Sequence, residues 1–404
     1  MLLGTQFASA LADNALLIVA IALLYDRGLP AWWAPVLKFG FTLSYVVLAP
    51  LLGPLADSVS KSRLMRWMNG IKALGVIGLL MGMHPVLSLC LVGLGSAGYA
   101  PAKYGLLADI CGTRLLVTAN GWLEGSVVAA VVIGTALGGA LIGPDWRAAV
   151  GWAGQSVVLP APLTVSLFVL LGVYGCSALM NLGIPIRSDR LDRPSFTGRA
   201  LWLDFAKANW ILWRDIEAAT SLAATTVFWG AAASLQFLLL QWADDALNMP
   251  LHEAAYLQVV VAVGVVAGAL VAGRWVDVQH AGRTLCFGVI LGCLLPVLTI
   301  IESPLTACLV LFFAGSMGGL MLVPLNALLQ HRGHLLLSTG RSVAIQGFCE
   351  NAGVLVILAA YAAIAAFGVP IELTLWLLGA FIAGSTACLM WLNARSRGGR
   401  RALA

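Results

Sequence analysis

Long apolar stretches recur along the whole sequence, and they constrain the fold more than any other feature. A helix needs about 20 apolar residues to cross a bilayer. Cutting the chain at charges, prolines and glycine clusters predicts twelve such spans, at residues 3–25, 34–56, 68–83, 85–107, 119–143, 162–184, 219–242, 254–275, 284–301, 304–328, 342–367 and 371–393. Only 10% of the residues are charged, against about 25% in soluble domains. We therefore expect an all-α integral membrane protein.

Basic residues are distributed unevenly between the two sides of these spans. Of the 23 Lys and Arg residues, Lys72 and Lys103 fall inside spans, and only Arg27, Lys38 and Arg147 fall on the side opposite the termini. The remaining eighteen share the side of both termini. Because Lys and Arg accumulate in cytoplasmic loops, we predict that both termini are cytoplasmic. The net charge of +5 then reflects this asymmetry, and no nucleic-acid partner is expected.

The longest polar segment, RSDRLDRPSFTGRALWLDFAKANWILWRD, divides the twelve spans into six and six. Its WLDFAKANWILW part predicts a short interfacial helix, because tryptophan and basic residues suit the headgroup layer. We predict four regions: an N-terminal six-helix bundle at 1–186, a cytoplasmic linker at 187–217, a C-terminal six-helix bundle at 218–394 and a basic cytoplasmic tail at 395–404.

The two halves of the chain repeat each other. Three pairs match at a constant offset of 220 residues: Gly53 with Gly273, Asp57 with Asp277, and Arg63 with Arg283. Three more match at an offset of 226: Asn120 with Gln346, Gly121 with Gly347, and Glu124 with Glu350. A duplicated six-helix bundle resembles the major facilitator superfamily, which implies a substrate site near the membrane midplane, between the halves.

The segment GPLADSVSKSR, residues 53–63, is similar to the loop signature of that superfamily. Gly53 allows two helices to approach closely, and Asp57 is expected to cap or pair near Arg63 and the neighbouring helix end. Asp277 and Arg283 persist in the second copy. We interpret these five residues as a cytoplasmic latch that depends on the conformational state, without substrate contact.

Five ionisable residues fall inside predicted spans: Asp13, Lys72, Lys103, Glu124 and Glu350. Such residues are costly in a membrane and often functional. Lys72 is expected to snorkel to the cytoplasmic surface. For Lys103, in YAPAKYGLLADI, snorkelling competes with a gate or substrate contact. We favour the second, because Asn326 occupies the matching position in the other half.

The other buried polar groups leave two interpretations open. Asp13 either forms an ion pair with a lysine of its own half or contacts the substrate or a gate. Asn120 and Glu124 are four residues apart and share one helix face, and Gln346 and Glu350 repeat this spacing. These faces either line a polar pathway or form interhelical hydrogen bonds that stabilise the bundle.

Five segments resemble the bacterial lysophospholipid transporter (LplT) family: ADNALL (12–17), PAKYG (101–105), ANGWLE (119–124), VPLNALLQ (323–330) and IQGFCEN (345–351). The resemblance covers nearly the whole chain. It implies inward transfer of lysophospholipid, chiefly lysophosphatidylethanolamine, across the leaflets of the bacterial inner membrane. An inner-leaflet acyltransferase/acyl-ACP synthetase then restores the second acyl chain.

The resemblance also implies a set of substrate-binding or gating positions. Lys103 would attract the phosphate, and Asp13, Glu124 or Glu350 the ammonium. The positions carried over are Asp13, Asn14, Lys103, Asn120, Glu124, Asn326, Gln346 and Glu350. Gln236 is a departure, because the family usually carries an arginine there, which puts its gating pair with Asp13 in doubt.

The sequence bears on three other functions. A proton-coupled exporter of small amphiphiles keeps the fold, with Asp13 or Glu350 as the titrating carboxylate. A membrane enzyme is disfavoured, because the sequence shows no H-x4-D spacing and no serine–histidine–acid set. An ATP-driven pump lacks the G-x4-G-K-[ST] loop. The eight cysteines show no CxxC spacing, so neither a disulfide framework nor a metal site is indicated. We also expect no cofactor and a monomer.

Overall fold

The computed structural model describes residues 1–28, 33–150, 161–184, 198–249 and 251–402. Within these ranges the chain is almost entirely helical, as predicted. The α-helices are α1 (Leu2–Asp26), α2 (Trp33–Ser58), α3 (Lys61–Leu80), α4 (Pro85–Ala140), α5 (Pro144–Val150), α6 (Ala161–Leu182), α7 (Gly198–Arg214), α8 (Ile216–Leu247), α9 (Leu251–Trp275), α10 (Leu285–Val297), α11 (Pro304–Leu336), α12 (Thr339–Ala366) and α13 (Ile371–Ala402). Short 3-10 turns at Val278–Arg283 and Leu298–Ile300 flank α10.

Eleven segments of the described chain are long and apolar enough to cross a membrane. Each overlaps one of the predicted spans. The twelfth prediction, residues 68–83, falls mainly on α3, whose four basic residues lower its hydropathy. The 56-residue helix α4 is far longer than one crossing and contains two spans, Pro85–Cys111 and Leu115–Ala140.

Local sequence explains where several helices begin and end. Proline occupies the first turn of α4, where its missing N–H costs no hydrogen bond. Asp215 caps α8, and its carboxylate accepts a hydrogen bond from the Ala218 N–H at 3.0 Å. Asn248 ends the same helix in the left-handed conformation, with φ of 50°.

The described chain forms two compact units. Unit 1 comprises Met1–Leu106, Ala129–Phe205 and Thr339–Gly347, and unit 2 comprises Leu107–Val128, Ala206–Ser338 and Phe348–Ala404. Each unit thus includes a short segment from the other half of the sequence. The four regions expected from the sequence, with a division at 187–217, stay a prediction.

Helices pair in the same order within the two units. In unit 1, α1 and α3 both pack on α6, and in unit 2, α8 and α10 both pack on α13. The core of unit 1 includes Leu16, Leu167 and Tyr174. The core of unit 2 includes Trp242 and Leu311. This equivalence is what a duplicated six-helix bundle requires.

Candidate functional site

Asp13 lies on α1 at the centre of a buried polar cluster in unit 1. Its Oδ2 accepts hydrogen bonds from Lys72 Nζ at 2.7 Å and Ser96 Oγ at 2.8 Å. Its Oδ1 accepts one from the Tyr174 hydroxyl at 2.6 Å. Of the two interpretations of Asp13, the structure shows the ion pair with a lysine of its own half. Three donors surround a carboxylate that would otherwise be costly to bury.

Lys72 is only 2% exposed, and the prediction that it snorkels is wrong. Its ammonium donates to Ser9 Oγ at 2.9 Å as well as to Asp13, and it lies 5.3 Å from the Tyr99 ring centroid. The Lys72 ammonium therefore contacts the Asp13 carboxylate, the Ser9 hydroxyl and the Tyr99 ring. These contacts take the place of the water that it would reach by snorkelling.

The cluster continues from Ser9 towards α6. Ser9 Oγ donates to Asn69 Oδ1 at 3.1 Å, and Asn69 Nδ2 donates to Ser177 Oγ at 3.0 Å. Ser177 in turn donates to the Thr5 carbonyl at 3.0 Å. The chain of hydrogen bonds joins α1, α3 and α6, so it fixes the position of Lys72.

Lys103 and Asn14 are also in unit 1. Lys103 is 6% exposed, and its Nζ lies 4.3 Å from the Tyr104 ring centroid. Lys103 is thus buried among protein groups, and its role as a gate or substrate contact stays a prediction. Asn14 Nδ2 donates to the Ala10 carbonyl of its own helix at 2.8 Å.

In unit 2, the second span of α4 meets α11 through two interlocking polar pairs. Asn120 Nδ2 donates to Gln330 Oε1 at 3.1 Å, and Gln330 Nε2 donates back to Asn120 Oδ1 at 2.8 Å. One turn further, Asn326 Nδ2 donates to Glu124 Oε1 at 3.1 Å. All four residues are buried. The structure therefore brings together three predicted site residues and adds Gln330.

Gln330 was not among the predicted residues, although the sequence contains a signal for it. It follows Asn326 by four residues, the same spacing that separates Asn120 from Glu124, so both pairs present one helix face.

Close packing surrounds these polar pairs. The Thr118 hydroxyl donates to the Gly273 carbonyl. A Cβ on Gly121 would lie 2.8 Å from the Ala269 carbonyl oxygen. These contacts bring the second span of α4 close to α9 and α11.

The latch residues of the first copy meet the start of α12 in unit 1. Asp57 forms an ion pair with Arg341 at 3.9 Å. Gly53 packs so closely that an added Cβ would lie 3.0 Å from the Arg341 Cα. Arg341 also pairs with Asp204 of α7 at 3.2 Å. The neighbouring helix end is that of α12, and the proximity of Asp57 to Arg63, which is exposed, stays a prediction.

The second copy of the latch keeps the glycine contact. A Cβ on Gly273 would lie 3.2 Å from the Thr118 Cα, so Gly273 permits close helix approach in unit 2 as Gly53 does in unit 1. Asp277 and Arg283 are exposed at the two ends of a short 3-10 turn.

Arg332, at the end of α11, forms a second ion-pair cluster in unit 2. It donates to both carboxylate oxygens of Asp215, with an Nε–Oδ1 distance of 3.1 Å, and its Nε lies 3.5 Å from Glu217 Oε2. Burial by itself raises the pKa of Asp215, but hydrogen bonds from Arg332 and the Ala218 N–H outweigh it. The pKa of Asp215 is therefore below its ordinary value, and the carboxylate is charged at neutral pH.

The remaining predicted positions lie in three different settings. Gln236 is exposed on α8, and its backbone carbonyl accepts a hydrogen bond from Gln258 Nε2 at 3.0 Å. Gln346 is buried in unit 1, and Glu350 is partly buried in unit 2. Among the residues that the structure describes, no group of three or more His, Cys, Asp or Glu could hold a metal ion.

Comparisons with known proteins agree with this architecture. Residues 2–335 match the model of the Major Facilitator Superfamily. The chain is 38% identical over 370 residues to the lysophospholipid transporter LplT of Yersinia enterocolitica, covering 91% of this chain and 87% of that protein. It is 37% identical, with the same coverage, to LplT of Yersinia pestis strain Pestoides F.

Solved structures show the same fold at low identity. The E. coli fucose:proton symporter has a TM-score of 0.74 at 13% identity, covering 96% of both chains. The human organic anion transporter MFSD10 has a TM-score of 0.72 at 13% identity, covering 97% of both chains. With eleven segments of the described chain able to cross a membrane, this is a multi-pass membrane protein of a transporter fold. The chain belongs to the lysophospholipid transporter LplT family of the major facilitator superfamily.

Proposed function

We propose that this chain moves lysophospholipids, chiefly lysophosphatidylethanolamine, from the outer to the inner leaflet of the bacterial inner membrane. The observation that carries the proposal is the 38% identity over 91% of the chain to a protein named as a lysophospholipid transporter. The fold supports transport by alternating exposure of a site rather than catalysis.

Lys103 is the proposed contact for the substrate phosphate. It is a buried cation next to an aromatic ring in unit 1, and an ammonium is a suitable point charge for a phosphate oxygen. Asp13 has a different proposed role. Its carboxylate already binds Lys72, Ser96 and Tyr174, so it organises the cluster beside the pathway and does not bind the substrate ammonium.

The remaining polar positions are proposed as contacts or gates. Asn120, Glu124 and Asn326, with Gln330, form hydrogen bonds that must break when the second span of α4 separates from α11. Asp57 and Gly53 act with Arg341 as the latch. Asn14, Gln346 and Glu350 stay candidates for substrate contact on the family pattern alone, and Gln236 stays one because it replaces the arginine that the family usually carries.

The product of inward transfer is a lysophospholipid with one free hydroxyl in the inner leaflet. An inner-leaflet acyltransferase/acyl-ACP synthetase is therefore the proposed functional partner, since it consumes this product.

The transporter itself is proposed to act as a monomer. Its termini and the 187–217 linker are proposed to lie in the cytoplasm, which the distribution of basic residues favours.

The test is a conversion assay. Labelled lysophosphatidylethanolamine is added to the outer leaflet of inner-membrane vesicles that carry the protein and an inner-leaflet acyltransferase, and the diacyl product is measured. We expect conversion well above that in vesicles without the transporter. Conversion equal to that control would refute lysolipid transport.

Two variants sharpen the assay. Lys103→Gln is expected to reduce conversion at least tenfold, whereas Arg147→Ala, which removes an exposed cation, should leave it unchanged. Full conversion by Lys103→Gln would remove Lys103 from the site. Uptake that follows an imposed proton gradient, with no leaflet transfer of lysolipid, would instead favour the amphiphile exporter.

A further inference from the structure

Helix α7 carries a large apolar surface that the described protein leaves uncovered. Trp202 is 57% exposed, Leu203 62% and Trp210 60%, and Trp213 is also exposed. At about 100° per residue, these side chains and Ala206 fall within one arc of about 100°. Tryptophan at this density on one side of a short helix is typical of a surface that contacts something other than water.

The opposite side of α7 faces the protein and fixes the rotation of the helix. Ala208 and Leu212 are buried there. In unit 1, Asp204 pairs with Arg341 at 3.2 Å. Just beyond the end of the helix, in unit 2, Asp215 binds Arg332 through both carboxylate oxygens. Since these contacts hold one side against the protein, the tryptophan side faces outward.

The charged residues that border the apolar arc are basic. Lys207 and Arg214 lie at its edge, and the Arg214 guanidinium lies 4.8 Å from the Trp210 ring centroid. The acidic residue of this helix, Asp204, lies on the other side, where its half-exposed carboxylate pairs with Arg341 at 3.2 Å. An apolar surface bordered by cations complements a layer of anionic headgroups above acyl chains.

The connection to the next helix places this surface at the membrane. Only Asp215 separates Arg214, the last residue of α7, from Ile216, the first residue of the membrane span α8. The carboxyl end of α7 is thus at the level where a span leaves the bilayer. The adjoining lipid leaflet is therefore the partner that we expect at this surface.

We propose that the Trp202–Trp213 side of α7 is a binding surface for the headgroup layer of the adjacent leaflet, with a preference for anionic phospholipid. Trp202, Trp210 and Trp213 enter the interface between headgroups and acyl chains. Lys207 and Arg214 contact phosphate groups. This surface is separate from the proposed transport site and does not depend on the identity of the transported molecule.

The first test measures where α7 lies, without any transport step. A fluorescent non-natural amino acid replaces the exposed Ala206 of the full chain, which is reconstituted into vesicles of phosphatidylcholine with or without phosphatidylglycerol. We expect brominated acyl chains to quench the fluorophore at least threefold more strongly than aqueous iodide. Stronger quenching by iodide, in either lipid mixture, would overturn the proposal and favour a surface for a soluble protein.

The second test concerns the charge preference. Quenching by brominated lipid should rise about twofold when phosphatidylglycerol is included. Lys207→Glu together with Arg214→Glu should abolish this rise. Arg395→Glu is the matched control, because Arg395 also lies over a tryptophan ring, that of Trp391 at 5.2 Å, but outside α7. Equal responses of the two variants, or no rise in the unmodified chain, would refute a preference for anionic lipid.

Discussion

Replacing Lys72 with methionine removes the counter-ion of Asp13 while keeping most of the side-chain volume. Asp13 would then keep only the neutral donors Ser96 and Tyr174. At the observed 2.7 Å between Nζ and Oδ2, the attraction is about 6 kcal/mol for an effective dielectric constant of about 20. Part of this offsets the cost of taking both charges out of water. Removing one partner of such a pair costs about 3–5 kcal/mol.

Asp13→Asn alone should cost a similar amount, because it leaves the Lys72 ammonium buried with Ser9 and an aromatic face. The double variant Asp13→Asn with Lys72→Met removes both charges of this pair. We expect it to lose about 1–2 kcal/mol relative to the natural chain, far less than the sum of the single losses. The coupling between the two sites is then at least about 3 kcal/mol.

The assay is thermal unfolding of the four purified proteins in one detergent, with the conversion assay run beside it. Lys207→Met serves as the control, because Lys207 is exposed and its loss should leave stability within about 0.5 kcal/mol. Single losses that simply add in the double variant would refute the ion pair as the organising contact. If the double variant folds but does not transport, the charges have a role beyond stability.

Three further predictions concern the gate, the linker and the latch. Asn120→Ala and Gln330→Ala should each lower the free energy of unfolding by about 1–2 kcal/mol, and the double variant should lose less than the sum. Each single change leaves a buried amide without its partner. The measurement is a double-mutant cycle in thermal unfolding. Asp215→Asn should destabilise the chain equally from neutral pH down to about pH 5, and its effect should shrink only below the ordinary aspartate pKa of 3.8. A carboxylate with a lowered pKa contributes stability above its ordinary pKa and loses that contribution on acidification. Unfolding measured over a pH series checks this. Gly53→Ala should reduce conversion severalfold by pressing a Cβ against the Arg341 backbone, whereas Gly70→Ala, with open space around it, should not.

Each of these has a clear contrary outcome. Additive losses at Asn120 and Gln330 would show that the two amides act independently. An Asp215→Asn effect that changes between about pH 6 and 8 would assign the titration to another group. Equal conversion by the two glycine variants would mean that the close approach at Gly53 is not needed for transport.

The positions of eleven spans in the described chain could be predicted because hydropathy is a local property of the sequence. The third predicted span, 68–83, overlaps α3, but the four basic residues of that helix lower its hydropathy. One of them, Lys72, pairs with Asp13, 59 residues away in the chain. Hydropathy averaged over 20 residues includes the unfavourable burial of this lysine, but not the distant carboxylate that offsets it.

The candidate site was predictable as a set of residues but not as a set of contacts. Asn120 and Glu124 share a helix face, which spacing predicts, yet Gln330 lies 210 residues from Asn120.

Arg341 shows a different limit of prediction from sequence. Basic residues near the ends of spans also set topology, so residue type alone does not separate an arginine that holds Asp57 and Asp204 from one that only orients the chain.

The Asp13–Lys72 pair has a consequence for how the chain responds to the membrane potential. Moving one elementary charge across the whole membrane takes about 2.3 kcal/mol per 100 mV. The paired atoms are 2.7 Å apart, about a tenth of the hydrocarbon thickness of about 30 Å. Since both residues belong to unit 1 and their charges cancel, the electric field would do only about 0.4 kcal/mol of work per 100 mV even if the pair reversed its direction completely. A buried acid and base therefore leave the conformational equilibrium of this transporter nearly independent of voltage at this cluster.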